Sequence, residues 1–175
     1  MKYSLLLPMI LLISCANPKP RKPVAHTGRM DMSQSIAFNK QLNKDELNRI
    51  KAYIRRDSTH TYINSQRGFW YTYLAKNEKD TLSPKKGNEV VFLYDIKDLQ
   101  GNEIYSEDTL GRKTYLVDQE DFMQGIQEGI KLMRINEKIL FLLPSSKAYG
   151  VYGDQKKIAA NTPLVVTLEL ITIRK

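Results

Sequence analysis

The sequence contains a single cysteine, Cys15, and only two histidines, His26 and His60. One thiol cannot form an intramolecular disulfide, so the fold must be stabilised by its hydrophobic core alone. The two histidines stand apart from each other and from any cluster of acidic residues, which favours solvent-facing side chains over metal ligands or a catalytic base. The sequence therefore predicts neither a metal site nor a cofactor.

The sequence also has no apolar run long enough to cross the roughly 30 Å hydrocarbon core of a bilayer. Lys2 is followed by an apolar stretch from Leu5 to Ile13, which ends at Ser14. This pattern is typical of a secretory signal peptide, here residues 1–14. Leu12-Ile13-Ser14-Cys15 resembles the bacterial lipobox, which implies cleavage before the cysteine and attachment of lipid to its thiol.

The lipobox resemblance implies that the folded part is lipid-anchored to a bacterial envelope membrane on the non-cytoplasmic side, in the periplasm. Several acyl chains hold such an anchor durably in the membrane. Lysine and arginine together number 27 against 19 acidic residues, a formal net charge of +8. The basic residues are scattered, and part of the surplus follows Cys15, where it can contact anionic lipid. We therefore expect no nucleic-acid partner. Which membrane holds the lipid stays open.

Two short segments precede the main domain. Residues 15–35 are polar and rich in proline, which predicts a flexible tether. In the next segment, 36–65, Asn43 and Glu46 have the spacing of a helix N-cap and its reciprocal glutamate. Apolar residues at 47, 50 and 54 then recur with helical spacing. This predicts one amphipathic helix ending near residue 57, packed on the domain that follows or binding a partner.

Residues 66–175 carry the pattern of one antiparallel α+β domain. Short apolar and aromatic runs separated by turn residues indicate strands, whereas apolar residues from Phe122 to Met133 recur with helical spacing. Strands in succession with one inserted helix favour an antiparallel sheet. In the last run, Val165, Thr167 and Glu169 alternate with larger apolar residues, which predicts one buried face and one solvent-exposed face. The predicted strands cover residues 68–74, 89–96, 103–105, 138–143 and 164–173.

Three blocks of this domain, in order, resemble an FKBP-type peptidyl-prolyl isomerase. They are residues 122–133, 144–150 and 158–165, and the segment 86–101 resembles the N-terminal half of that family. The lipid anchor, the preceding helix and the strand Gly68-Phe69-Trp70-Tyr71 also resemble the FKBP-like lipoproteins associated with gliding motility in Bacteroidetes.

The resemblance implies a curved antiparallel sheet wrapped around one short helix, with an apolar active-site hollow between them. It implies prolyl isomerisation without cofactor, acting on proline-containing exported polypeptides. Three residues would act in catalysis: Tyr94 and Tyr149 as walls, and Ile158 in the loop above the proline. The residues that would contact substrate are Ile104, Tyr105, Phe122, Met123, Ile126 and Val166.

The sequence departs from the family pattern at several of these positions. Ile126 stands where the family has a tryptophan floor, Val166 replaces a phenylalanine, and Ile104-Tyr105 replaces a phenylalanine-aspartate pair. The carboxylate of the family's aspartate is therefore missing at position 105. Smaller side chains in the walls of the hollow offer less apolar contact area to a bound proline. We therefore expect low isomerase activity or a shifted substrate preference. Lys156-Lys157, on the overhanging loop, is either solvated or favours acidic clients.

Two functions remain open on the sequence alone. The first is a lipid-anchored prolyl isomerase that assists the folding of exported envelope proteins. The second is a non-catalytic chaperone or assembly factor that binds unfolded or partner chains through the same hollow. We favour the first, because prolyl isomerisation tolerates altered pocket walls. The sequence does not indicate an oligomeric state.

Overall fold

A computed structural model describes residues 32–174, and the part of the chain from Met32 onward forms one compact unit. The predicted signal peptide, Cys15 and most of the predicted tether lie outside the described residues. The described part contains three α-helices and seven strands, with short 3-10 turns at Ile130–Leu132 and Ser145–Lys147. The helices are α1 (Met32–Arg56), α2 (Glu107–Leu110) and α3 (Gln124–Gly129). The strands are β1 (Ile63–Asn64), β2 (Trp70–Ala75), β3 (Glu89–Lys97), β4 (Glu103–Tyr105), β5 (Lys113–Leu116), β6 (Lys138–Leu143) and β7 (Leu164–Arg174).

The seven strands form one antiparallel sheet in the order β1-β2-β6-β7-β3-β4, and β5 also pairs with β3. The longest strand, β7, lies between β6 and β3 and pairs with both over most of its length. This α+β architecture, with an open antiparallel sheet and one short helix against it, confirms the predicted fold class. The strands β3, β4, β6 and β7 have nearly the bounds that the sequence predicted.

The main core lies between one face of the sheet and α3. Phe92, Phe141 and Leu168 from the sheet are fully buried together with Ile126 and Ile130 from the helical segment. The helix approaches the sheet closely because its glycines carry no side chain. A Cβ added at Gly129 would lie 2.4 Å from the Cε1 atom of Phe141.

The opposite face of the sheet is covered by α1, which corrects the prediction of a solvent-exposed face on β7. Leu142 and Val165 point away from the main core because side chains alternate along a strand. They are nevertheless buried, in a second cluster with Ile50 of α1 and with Leu99. The helix therefore packs on its own domain, as one of the two predicted alternatives stated.

The start of α1 differs from the prediction. The helix begins at Met32, so Asn43 lies inside it, and residues 32–35 of the predicted tether are helical. Glu46 does not cap the helix; its carboxylate accepts hydrogen bonds from Ser145 instead. The end of the helix at Arg56 agrees with the prediction. Among the described residues, no helix is both long and apolar enough to span a membrane.

Candidate functional site

Tyr94 lies in the middle of β3 at the centre of an aromatic cluster. Its ring meets the ring of Phe122 edge-on, with centroids 5.6 Å apart, and Phe92 contacts both rings. The ring centroid of Tyr115, on β5, lies 6.1 Å from the ring centroid of Phe122. Edge-to-face contacts of this kind favour a fixed arrangement of the rings. The aromatic wall on this side is therefore partly supplied by Phe122, from the segment that leads into α3.

The backbone holds Phe122 and Met123 at the start of α3. The carbonyl of Met123 accepts the first helical hydrogen bonds, from the N–H groups of Ile126 and Gln127, at 2.9 and 3.0 Å. The side-chain amide of Gln127 donates to the carbonyl of Phe122 at 2.9 Å. Met123 and Ile126 are buried, whereas Phe122 stays partly exposed. These two predicted substrate-contacting residues thus differ, since Phe122 is partly exposed and Met123 is buried.

Tyr149 follows β6 and the 3-10 turn, and it is half-buried against the main core. Burial raises the pKa of its hydroxyl to about 12, and the neighbouring Tyr94, Asp154 and Tyr105 add to this effect. The hydroxyl therefore keeps its proton throughout the physiological range. It is available as a hydrogen-bond donor to a bound carbonyl group.

The overhanging loop is organised by Asp154, which the sequence analysis did not single out. One oxygen of its carboxylate accepts from the N–H groups of Ile158 and Lys156, at 2.7 and 2.9 Å. The other oxygen accepts from the hydroxyl of Tyr105 on β4. Burial opposes the charge of this carboxylate, but the hydrogen bond from Tyr105 and those from the backbone outweigh it and lower the pKa. Asp154 thus fixes Ile158, which is almost completely buried.

A second contact joins the loop to β4. The ammonium group of Lys157 lies 5.0 Å from the centre of the Tyr105 ring and donates to the carbonyl of Ile104 at 3.3 Å. A cation over an aromatic face is attracted by the ring. No carboxylate stands at position 105, as the sequence indicated, but Asp154 brings one to the same tyrosine from the loop. No signal in the sequence distinguishes this aspartate from the other acidic residues.

The nine predicted site residues in the described part of the chain all belong to one apolar cluster. Five of them are buried and four are partly exposed around the cluster. The buried group is Tyr94, Met123, Ile126, Ile158 and Val166; the partly exposed group is Ile104, Tyr105, Phe122 and Tyr149. The roles assigned to these residues stay predictions. Within residues 32–174, no group of three or more metal-ligating side chains comes together.

These features define a class of protein, a sheet-and-helix domain with one apolar cluster walled by aromatic residues between the sheet and a short helix. Residues 80–171 match the sequence profile of one family, described as FKBP-type peptidyl-prolyl cis-trans isomerase. The match covers more than half of the chain. The chain belongs to the FKBP-type peptidyl-prolyl cis-trans isomerase family.

Two curated relatives agree with this assignment. FK506-binding protein 2A of Rhizopus delemar is 28% identical over 110 residues, which cover 58% of this chain and 66% of the relative. The FKBP-type peptidyl-prolyl cis-trans isomerase FkpA of Aeromonas hydrophila is 45% identical over 51 residues, which cover 29% of this chain and 19% of the relative. The chain thus spans less than two thirds of either relative.

Two solved structures share the fold. A crystal structure of a peptidyl-prolyl cis-trans isomerase from Pseudomonas syringae pv. tomato has a TM-score of 0.63 at 20% identity, covering 78% of this chain and 96% of that one. The crystal structure of FkpA from Escherichia coli has a TM-score of 0.62 at 22% identity, covering 81% and 65% of the two chains. At this level of identity, the similarity concerns the fold.

Proposed function

We propose that this protein is a peptidyl-prolyl cis-trans isomerase that acts on exported polypeptides. One observation carries the proposal: the residues that the family resemblance assigns to the site, from five separate segments and a loop, converge in a single apolar cluster. The membership of the family gives this cluster its chemical interpretation.

The chemistry needs no covalent step on the protein. Rotation about the X-Pro bond is slow because amide resonance must be lost, against a barrier of about 18–20 kcal/mol. The twisted amide has less charge separation than the planar one, so the apolar cluster that includes Tyr94 and Ile158 favours it. The hydroxyl of Tyr149 keeps its proton and can hold the substrate carbonyl as a preorganised donor. Catalysis by an apolar environment and one hydrogen-bond donor requires no metal and no nucleophile.

The test is an isomerisation assay on the full chain, purified in detergent, with proline peptides that vary in the residue before proline. We expect Tyr149→Phe to lower kcat/KM about tenfold, the effect of losing one hydrogen bond in the transition state. Tyr152→Phe is the matched control, because Tyr152 lies on the same loop but is 79% exposed. A wild-type rate equal to that in buffer for every peptide would overturn the proposal.

The proposal includes a lipid anchor at Cys15 and a location at the bacterial envelope, with the domain in the periplasm. Its support is the N-terminal sequence pattern, an apolar stretch that ends at a lipobox-like cysteine. We expect labelled fatty acid to be incorporated into the wild-type protein and the protein to sediment with membranes. Cys15→Ser should lose both properties. Equal labelling of the two proteins would contradict the anchor.

The narrower resemblance to gliding-motility lipoproteins suggests one group of clients, the envelope components of that machinery. The helix and the aromatic strand on which this resemblance rests are both present, as α1 and β2. A strain that lacks the protein should spread more slowly on a surface and accumulate less of those components. Normal spreading and normal levels would remove this group of clients from the proposal.

A second candidate function is binding without catalysis, as a chaperone or assembly factor. The observation that favours it is the enclosure of Tyr94, which is only 7% exposed and is contacted edge-on by Phe122. A proline ring has little access to such a wall. If Tyr149→Phe and Ile158→Ala lose isomerisation but fully restore a deletion strain, binding is the better account.

A further inference from the structure

A buried carboxylate of α1 is bonded to the segment that carries Tyr149. The side chain of Glu46 is 1% exposed. One of its oxygens accepts from the backbone N–H of Ser145 at 2.8 Å, and the other accepts from the hydroxyl of Ser145 at 2.7 Å. Ser145 is itself buried, and the two residues are 99 positions apart in the sequence. Hydrogen bonds to a charged acceptor are among the strongest in proteins.

The same serine fixes both neighbours of Tyr149. The backbone carbonyl of Ser145 accepts from the N–H of Ala148 at 2.9 Å and from the N–H of Gly150 at 2.8 Å. The peptide group that follows the tyrosine, and the one that precedes Ala148, are therefore held by one residue. That residue is fixed in turn by Glu46. A continuous path of four hydrogen-bonded residues, Glu46, Ser145, Ala148 and Gly150, runs from α1 to the neighbours of Tyr149.

We propose that Glu46 is a positioning residue for the isomerase site, acting through Ser145 on the orientation of Tyr149. This inference rests on the proposed function, because it assumes that the Tyr149 hydroxyl contacts substrate. A displacement of about 1 Å in a catalytic group has a large effect on rate. Helix α1 thus supports the active site through Glu46, and it also covers one face of the sheet.

The geometry of the contact supports a role beyond packing. A buried charge is costly unless it is well bonded, and an apolar residue would cover the sheet at lower cost. Ile50, one turn further along the same helix, does this and is fully buried. The carboxylate at position 46 instead supplies two acceptors for one residue next to the site.

Four variants of the full chain separate positioning from stability. Glu46→Ala leaves the N–H and the hydroxyl of Ser145 without their acceptor, and we expect kcat to fall about tenfold with a smaller change in KM. Glu46→Gln should retain activity within about twofold, because its amide can accept from the N–H and donate to the hydroxyl. Asp45→Ala, at the exposed neighbouring position, should match the wild type. Ile50→Val lowers stability without touching the path.

The second measurement does not depend on activity. Amide hydrogen exchange at Ala148 and Gly150 should become faster in Glu46→Ala, relative to amides of the core strands, and should stay slow in Glu46→Gln and Ile50→Val. If the wild type shows no isomerase activity, the proposed function fails while these rates still test the path. Wild-type exchange and wild-type kcat in Glu46→Ala would overturn the inference. So would equal loss of kcat in Ile50→Val and Glu46→Ala.

Discussion

At the level of single residues, the site differs from the family pattern by moving groups between segments. By the family resemblance, position 105 carries a tyrosine in place of an aspartate, but the loop provides Asp154 at hydrogen-bonding distance from that tyrosine. The same resemblance predicts that Ile126 replaces a tryptophan, while Phe122 places an aromatic ring against Tyr94. The substitutions are therefore not simple losses of side-chain groups.

The sequence predicted the positions of the aromatic residues but not their burial or the role of Asp154. Tyr94, Tyr149 and Ile158 were predicted as site residues because they stand in segments with characteristic neighbours. An aspartate in a polar loop has no such neighbours, and its three hydrogen bonds arise only when the loop folds back onto β4. Contacts between distant segments of this kind are not encoded in local spacing.

The ionisation of the site residues predicts a flat pH profile. Asp154 titrates below its ordinary pKa of 3.8, Tyr149 titrates at about 12, and burial also raises the pKa of Tyr94. No group of this set changes charge between about pH 5 and pH 9, so kcat/KM should be constant there within about twofold. Activity should fall only in acid, as Asp154 gains a proton, and at high pH, as Tyr149 loses one.

The measurement is kcat/KM for one proline peptide across this range and beyond both of its ends. Asp154→Asn should remove the decline at the acid end, because the amide does not titrate. A bell-shaped profile centred near pH 7 would contradict this account of the site.

At the level of elements, the sequence indicated the strands with dense apolar runs and the three-residue β4, and it missed β1 and β5. The strands β3, β6 and β7 contain dense apolar runs and were predicted with nearly the observed bounds. In contrast, β5 has only four residues and begins with a lysine. Its own sequence does not indicate a strand, which forms through pairing with β3. The start of α1 was missed for a related reason, since Ile36 and Phe38 are exposed and show no buried stripe.

The close approach of α3 to the sheet gives a prediction about Gly129. A methyl group at this position would overlap the ring of Phe141, which is fully buried and cannot turn away. We expect Gly129→Ala to lower the free energy of unfolding by about 1–3 kcal/mol, the usual cost of overpacking. This loss should exceed the gain in helix propensity from replacing glycine with alanine. Denaturant unfolding measures the net change in the free energy of unfolding.

Gln124→Ala is the matched control, because it introduces the same side chain at the exposed start of the same helix. It should change the free energy of unfolding by less than about 0.5 kcal/mol. If both variants are equally stable, the helix is less tightly packed than the distance to Phe141 indicates.

At the level of the whole molecule, α1 and the sheet behave as one structure. The helix buries Ile50 against Leu142 and Val165, and Arg56 donates to the carbonyl of Leu99 at 3.0 Å. The sheet is therefore covered on both faces at this end. A helix that precedes a domain is easily interpreted as a separate extension, because its sequence does not show which surface it packs on.

We accordingly predict that Ile50→Ala destabilises the entire folded unit. The loss of a buried isoleucine side chain should lower the free energy of unfolding by about 2–5 kcal/mol. Helix and sheet signals should still disappear in a single transition. Circular dichroism together with tryptophan fluorescence tests this, because Trp70 packs against the same cluster.

Ile36→Ala makes the same change at a position of α1 that is 62% exposed. This variant should unfold at the wild-type denaturant concentration. Two separate transitions in the wild type would show that the helix and the sheet fold independently.

The central place of β7 in the sheet affects how the protein is made. A ribosome that has synthesised β1 to β6 has produced two groups of strands, β1-β2-β6 and β3-β4-β5, with nothing to join them. The nascent chain must wait for Leu164–Arg174 before either group gains its neighbour, and pairings so distant in sequence form slowly. Each group of strands therefore presents an unpaired edge until the last strand has been synthesised.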